Sequence, residues 1–464
     1  MLLVSGPLLQ AKKVIKMGRI PGLNFSNKPK LLEAVLCILT FTAEKRYNKL
    51  CKQLTQQKRL VEKEILCMRT IGTVVRGVRA PIIRQGDDIA ILTAEAVQEA
   101  WKEAGIAPRD RDVVAVTESV VARSQGNYAT IRQIAADVKA KTGGGVVGVA
   151  FPILSRNRFS LLLKGIALAS KKVVVLLSYP SDEVGNHLVD LDRLDAAGVN
   201  PYTDMLTVAE FREKFGRILH PFTGVDYIDF YRELIEGCGA EAEILLGNRI
   251  QNLVPITDAV ITADIHTRAR SKRLLKAAGC KIVLGLDDLL TAPVEGSGYN
   301  EQYGLLGSNK ATEETIKLFP RDCFEVAAKI SRLLSEASGK RIEAMVYGDG
   351  AFKDPVGKIW ELADPVVSPG YTAGLQGTPN ELKLKYLADN DFGDLSGEAL
   401  KEAISDRIRA KTGESLVGNM VSEGTTPRQL TDLIGSLCDL TSGSGDKGTP
   451  IVYIQGYFDN YTNE

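Results

Sequence analysis

From residue 69 onward the chain alternates short apolar runs with amphipathic stretches, and the period of that pattern predicts its elements. Residues 70–78 alternate and are rich in valine, which predicts a strand running into Ala80-Pro81-Ile82-Ile83. Gly86-Asp87-Asp88 then turns the chain. Asp88 is placed to cap a helix over 89–104, and Gly105 closes it. Residues 113–117 read as a short buried strand, and a helix over 130–142 stops at Gly143-Gly144-Gly145.

Between about 147 and 300, strand-like stretches (172–179, 242–246, 259–265, 281–286) alternate with helix-like ones (158–169, 207–215, 227–236, 269–278). That alternation predicts helices packed on a sheet. Farther on, 324–337, 380–388, 397–411 and 425–440 are predicted helices. The last has Pro427 in its first turn, where a missing N–H costs little. Residues 342–347 and 451–457 are predicted strands.

The first 67 residues break the pattern. No aspartate precedes Asp87, and Lys12, Lys13, Lys16, Lys28 and Lys30 are opposed nearby only by Glu33. Transit peptides are basic and acid-poor, but they favour Arg and Ser over the Lys, Leu and Asn found here. The favoured expectation is a natural translation start at Met68. Residues 1–67 are then expected to be poorly packed, with 30–42 and 47–66 as helix candidates.

A chain of 464 residues suggests two or three folded units at roughly 150 residues each. With 44% hydrophobic and 25% charged residues, large cores are expected. The formal charge of +1 argues against whole-surface attraction to nucleic acid or anionic membrane, and leaves a local basic pocket open. No run of about 18 apolar residues occurs, so no membrane span is expected. The seven cysteines include no C-x-x-C pair, which predicts reduced thiols in a cytoplasmic protein. Three scattered histidines do not suggest a His-rich metal centre.

No G-x-x-x-x-G-K-[ST] occurs, and no G-x-G-x-x-G follows a strand and opens a helix, so a bound nucleotide needs another cradle. Four clusters interrupt the periodic pattern as binding loops do. The first, Ala80, Pro81, Ile82 and Ile83 with residues 84–88, is a binding loop or a proline turn plus helix cap. The second, residues 117–127, sets Glu118, Ser119 and Arg123 where a strand ends. That suits phosphate or base contacts, or equally an edge strand with a solvated arginine. In the third, Asp349 stands between Gly348 and Gly350, with Lys353 and Asp354 following. The two carboxylates suit Mg²⁺ and the lysine suits phosphate, unless the segment is a simple turn. The fourth runs over 441–450 and contains Gly445, Asp446, Lys447, Gly448 and Thr449. It can wrap phosphates through backbone N–H groups or serve as a flexible linker. His266 is a candidate base or a strand-end histidine bonded to backbone. Asp287-Asp288 is a candidate metal pair or a helix N-terminus favoured by the dipole.

Taken in order, these clusters resemble the coenzyme F-420 gamma-glutamyl ligase family. The matching stretches are 80–89; 112–127, where the family reads much like D-V-L-V-V-x-S-x-x-x-S-K-A-E-G-R; Gly304-Leu305-Leu306-Gly307-Ser308-Asn309; 346–349; and 427–456. The resemblance implies an α+β fold of mixed sheets flanked by helices. Its core would span 69–146 and 301–464 around a central α/β insertion at 147–300, in a homodimer. The implied reaction forms an amide (gamma-glutamyl) bond between a carboxylate substrate and L-glutamate through an acyl phosphate. It would use GTP or ATP with Mg²⁺ or Mn²⁺. Nucleotide contacts would fall on Ala80 to Ile83, Glu118, Ser119, Arg123, Asn309 and Gly445 to Thr449. Asp349, Lys353 and Arg123 would be catalytic, and Asp349 with Asp354 would hold the metal.

Three positions depart from the family. Its first metal-binding Asp aligns with Leu306, its Thr beside the second with Gly350, and its Lys with Arg123. Two unit charges about 4 Å apart attract by roughly 4 kcal/mol at an effective dielectric of about 20, so one lost carboxylate weakens a shared cation site. Leu306 therefore keeps a second class open, a non-catalytic protein that binds a nucleotide or metabolite. A Rossmann-type oxidoreductase ranks third, lacking the glycine fingerprint.

Overall fold

Strand-forming runs of Val, Ile and Ala build three sheets among the residues that the computed structural model describes, namely 71–350, 363–411, 421–422, 428–443 and 445–462. In chain order the strands are β1 (Val74–Val78), β2 (Val113–Thr117), β3 (Tyr128–Thr130), β4 (Val146–Ala150), β5 (Lys172–Leu177), β6 (Leu206–Thr207) and β7 (Glu241–Leu246). They continue with β8 (Ala259–Thr262), β9 (Ile282–Gly285), β10 (Asn309–Lys310), β11 (Thr315–Lys317), β12 (Glu343–Tyr347), β13 (Gly370–Tyr371) and β14 (Ile451–Gln455).

The first sheet has the order β1-β14-β2-β12-β13, with β2 and β12 parallel and the other pairs antiparallel. Its central strands are mostly apolar because both faces are covered, with polar residues only at their ends (Thr117, Glu343 and Gln455). Val114, Val116 and Val346 face the helices Ile89–Glu103 and Cys323–Ser338. The alternate residues Val113, Ala115 and Met345 face the helix Leu430–Ser442.

The second sheet has the order β6-β7-β5-β4-β8-β9, parallel except for the edge strand β6. Numbered along the chain, its parallel strands lie 3-2-1-4-5, a doubly wound arrangement whose direction of winding reverses between β4 and β8. A small third sheet, β10-β11-β3, completes an α+β architecture of mixed sheets flanked by helices.

The cap predicted at Asp88 and the glycine stop at Gly143 both form. Asp88 accepts from the N–H groups of Ala90 and Ile91, and Thr130 with Gln133 makes a capping box that opens the helix Ile131–Thr142. Gly143 ends that helix at φ 76°, a left-handed conformation that favours glycine. Elsewhere the pattern misleads. Residues 117–127 do not form an edge strand, because β2 lies inside the sheet and Glu118–Ser124 is helical. The last long helix begins at Leu430, since Gln429 is extended (ψ 143°). The expected helix over 380–388 is a short turn, Leu384–Tyr386, continued by a π turn at Leu387–Asp391. Strands β3, β4, β6, β10, β11 and β13 were not expected. Pro427 and the helix candidates before Met68 lie outside the described residues. Cys238, Cys280, Cys323 and Cys438 carry free thiols. Among the described residues no helix is long and apolar enough to cross a membrane.

Candidate active site

The parallel pair β2 and β12 sets the frame. Thr117 lies in register with Tyr347, so both strands deliver their next residues, Glu118 and Gly348-Asp349, to one edge of the sheet. Antiparallel β14 begins at that edge, where Thr117 donates its N–H to Pro450 O at 3.0 Å. Strand β1 ends there: Val78 pairs with Ile451, and Ala80 donates its N–H to Gly448 O at 3.2 Å. The segments holding Ala80 to Ile83, Glu118, Asp349 and Gly445 to Thr449 thus meet along one edge. Strands about 4.8 Å apart put β14 and β12 roughly 10 Å from each other across β2.

At the β2–β12 end of this edge the site is acidic and buried. Glu118, 7% exposed, opens its helix and receives the ammonium of Lys317 at 2.8 Å on both carboxylate oxygens. Asp349 is half-buried, and its Oδ2 lies 2.5 Å from Nη2 of Arg158. The other arm of Arg158, Nη1, lies 2.8 Å from Oδ1 of buried Asp364. Asp364 Oδ2 accepts the N–H of Asp349 at 2.8 Å, and Asp439 Oδ2 accepts the N–H of Gly350 at 3.0 Å. Burial, reinforced by the negative charge of Asp364, pushes the carboxyl of Asp349 up to about 7 against the pull of Arg158. Burial also raises Glu118, opposed by Lys317, and raises Asp439.

The β1–β14 end carries both signs of charge, with Arg76, Arg79 and Lys447 set against Glu99 and Glu103. A cleft of about 840 Å³ opens beside the edge, lined by Arg76, Arg79, Pro81, Trp101, Lys447 and Thr449 among others. Its size is that of a small-molecule site. Lys447 and Asp446 are exposed, Ile82 is 78% exposed, and Ile83 is buried. Neither Glu118 nor Asp349 lines this cleft. Ser119 and Arg123 are exposed on the helix that Glu118 opens, and Asn309 pairs with Lys317 across β10 and β11. Lys353 and Asp354 lie outside the described residues.

A divalent cation does not fit the acids as they stand. Arg158 already bridges Asp349 and Asp364, and among the described residues no group of three or more His, Cys, Asp or Glu side chains is arranged to hold a metal ion. Leu306 is 1% exposed within an apolar cluster and offers no ligand. The other metal-like pair is also satisfied: Asp287 is held by Arg268 and Lys272, and Asp288 by Lys272 and the N–H of Gly285. The N–H of His266 donates to the carboxylate of Glu183, which also receives the N–H groups of Ile265 and Thr267.

Sequence reasoning did not single out Arg158, Lys317, Asp364 or Asp439. Each comes from a different segment, so no local spacing marks them. The nearest available signal was the valine run of β4, whose recognition would have put Arg158 in the connection between a strand and the helix Ser160–Ala169.

The family model described as F420-0:Gamma-glutamyl ligase matches residues 77–456 of this chain. Among curated proteins, none matches it.

Proposed function

Since the chain belongs to the F420-0:gamma-glutamyl ligase family, we propose that it joins a carboxylate substrate to L-glutamate at the expense of GTP or ATP. What supports this reading, beyond membership, is the convergence of four motif segments on one sheet edge, with a cleft holding Arg76, Arg79 and Lys447 at one end and buried acids at the other.

In this reading the nucleotide occupies the cleft, with its phosphates against Lys447 and the backbone of 445–449. The substrate carboxylate attacks the γ-phosphoryl group, giving an acyl phosphate and a nucleoside diphosphate. The glutamate amine then attacks the acyl carbon and phosphate leaves. Asp349 titrates near neutral pH and is suited to accept the proton that the amine loses. Because the acids do not fit Mg²⁺ or Mn²⁺, neutralisation of the phosphates is assigned to Lys447, Arg76 and Arg79. Residues 147–300 would shape the acceptor pocket between the core segments 69–146 and 301–464, in a cytoplasmic homodimer.

The test supplies GTP or ATP, labelled glutamate and a panel of carboxylates including the deazaflavin precursor. Glutamate-dependent phosphate release with a labelled amide product is expected. Nucleotide binding without turnover on any carboxylate would instead support a non-catalytic binder, the reading that buried Leu306 and the occupied acids favour.

A further inference from the structure

The cation among these acids is part of the chain. Arg158 follows β4 in the doubly wound sheet, at the carboxyl end of the strand where the winding direction reverses. From there it crosses to the edge of the other sheet and meets Asp349 and Asp364 with one guanidinium arm each, at 2.5 and 2.8 Å. Its side chain is 19% exposed. Asp364 spends its other oxygen on the N–H of Asp349, and an oxygen of Asp439 is taken by the N–H of Gly350. A hard divalent cation needs six or so oxygen ligands drawn together around it, and these carboxylates are instead spread around a planar fork.

We propose that Arg158 is a tethered replacement for a divalent cation: its guanidinium occupies the carboxylate group of Asp349 and Asp364, so these acids bind neither Mg²⁺ nor Mn²⁺ in the folded protein. The doubly wound sheet thereby supplies a functional group to the site as well as packing beside it. The inference holds whether or not the chain makes an amide, because it concerns cation occupancy alone.

The experiment titrates Mn²⁺ into the full chain, following free Mn²⁺ by electron paramagnetic resonance and melting temperature in parallel. Wild type and Asp349→Asn should behave alike, with no saturable site that depends on Asp349. Arg158→Gln should gain one saturable site and an upward melting shift with Mn²⁺, both lost again when Asp349→Asn is added. A saturable site in wild type that Asp349→Asn abolishes overturns the proposal, as does a folded Arg158→Gln protein that gains none. If Arg158→Gln does not fold, the comparison of wild type with Asp349→Asn decides alone.

Discussion

Glu118 and Lys317, 199 residues apart, form an ion pair in which both carboxylate oxygens lie 2.8 Å from the ammonium nitrogen. The contact ties the first residue of the helix after β2 to β11, and so links the five-stranded sheet to the three-stranded one. Both side chains are only 10% exposed. Breaking such a pair leaves one charge buried and alone, which costs about 3–5 kcal/mol, whereas removing both charges together can be nearly neutral. Lys317→Met alone should therefore lower the urea stability by that amount, and Glu118→Leu/Lys317→Met should recover most of it. Additive losses in the double variant would mean that the two residues are not coupled.

Asp349 gives the site a pH dependence of definite sign. Its carboxyl rises from an ordinary 3.8 to about 7, so between those values the native protein holds a proton that the unfolded chain releases. Stability contributed by that proton is fully present below about pH 4 and is lost as pH climbs through 7. Relative to Asp349→Asn, wild type should thus lose stability progressively over this range, by at most a few kcal/mol at about 1.4 kcal/mol per unit. Asp364→Asn removes the neighbouring negative charge and should move the midpoint down. Urea melts at half-unit pH steps measure this, and a difference curve that is flat from pH 4 to 7.5 would show that the carboxyl is not perturbed.

These acids also show where sequence reading stops. Elements with their own capping and periodicity were legible: Asp88 and its helix, the helix over 130–142 with its glycine stop, and the mostly apolar β2 and β14. The resemblance grouped the loops near Ala80, Glu118, Asp349 and Gly448, and the strand order of the first sheet is what brings them to one edge. Arg158 was not legible, since nothing in Arg156-Asn157-Arg158 distinguishes a buried fork from a solvated turn. Its role depends on two sheets meeting, and that is information at long range. The doubly wound order was hidden for a related reason: β4 starts immediately after three glycines that read as a helix stop, and without β4 there is no central strand.

Gly350 stands where the resembling family carries Thr, and the packing accounts for the exchange. A Cβ at this position would lie 2.9 Å from Cα of Ser436 and 3.2 Å from Oδ2 of Asp439, on the helix Leu430–Ser442. Helix backbone cannot step aside as a flexible side chain can. Gly350→Thr should push the helix outward, weaken the Gly350–Asp439 hydrogen bond and cost about 1–3 kcal/mol by overpacking. A thermal melt checks this, and an unchanged melting temperature would show that the helix is free to shift.

Lys447 separates binding from folding. It is exposed, follows Gly445 and Asp446 in a single 3-10 turn, and lines the cleft with Arg76 and Arg79, which Glu99 and Glu103 also line. The loop itself is fixed by main-chain and hydroxyl contacts that do not involve the Lys447 ammonium: Ala80 N–H to Gly448 O, and Thr449 Oγ1 to Ser442 O at 2.8 Å. Lys447→Ala should therefore leave the melting temperature unaltered. A charge-assisted hydrogen bond to phosphate contributes about 1.5–3 kcal/mol, so the dissociation constant for GTP or ATP should rise roughly 10- to 100-fold. Arg79→Ala should act in the same direction, because it faces the same cleft. Calorimetric titration of nucleotide into each variant reads the effect directly. Wild-type affinity in both would place the triphosphate elsewhere on the sheet edge, and would leave the cleft between β1 and the helix Ile89–Glu103 without a role in the reaction.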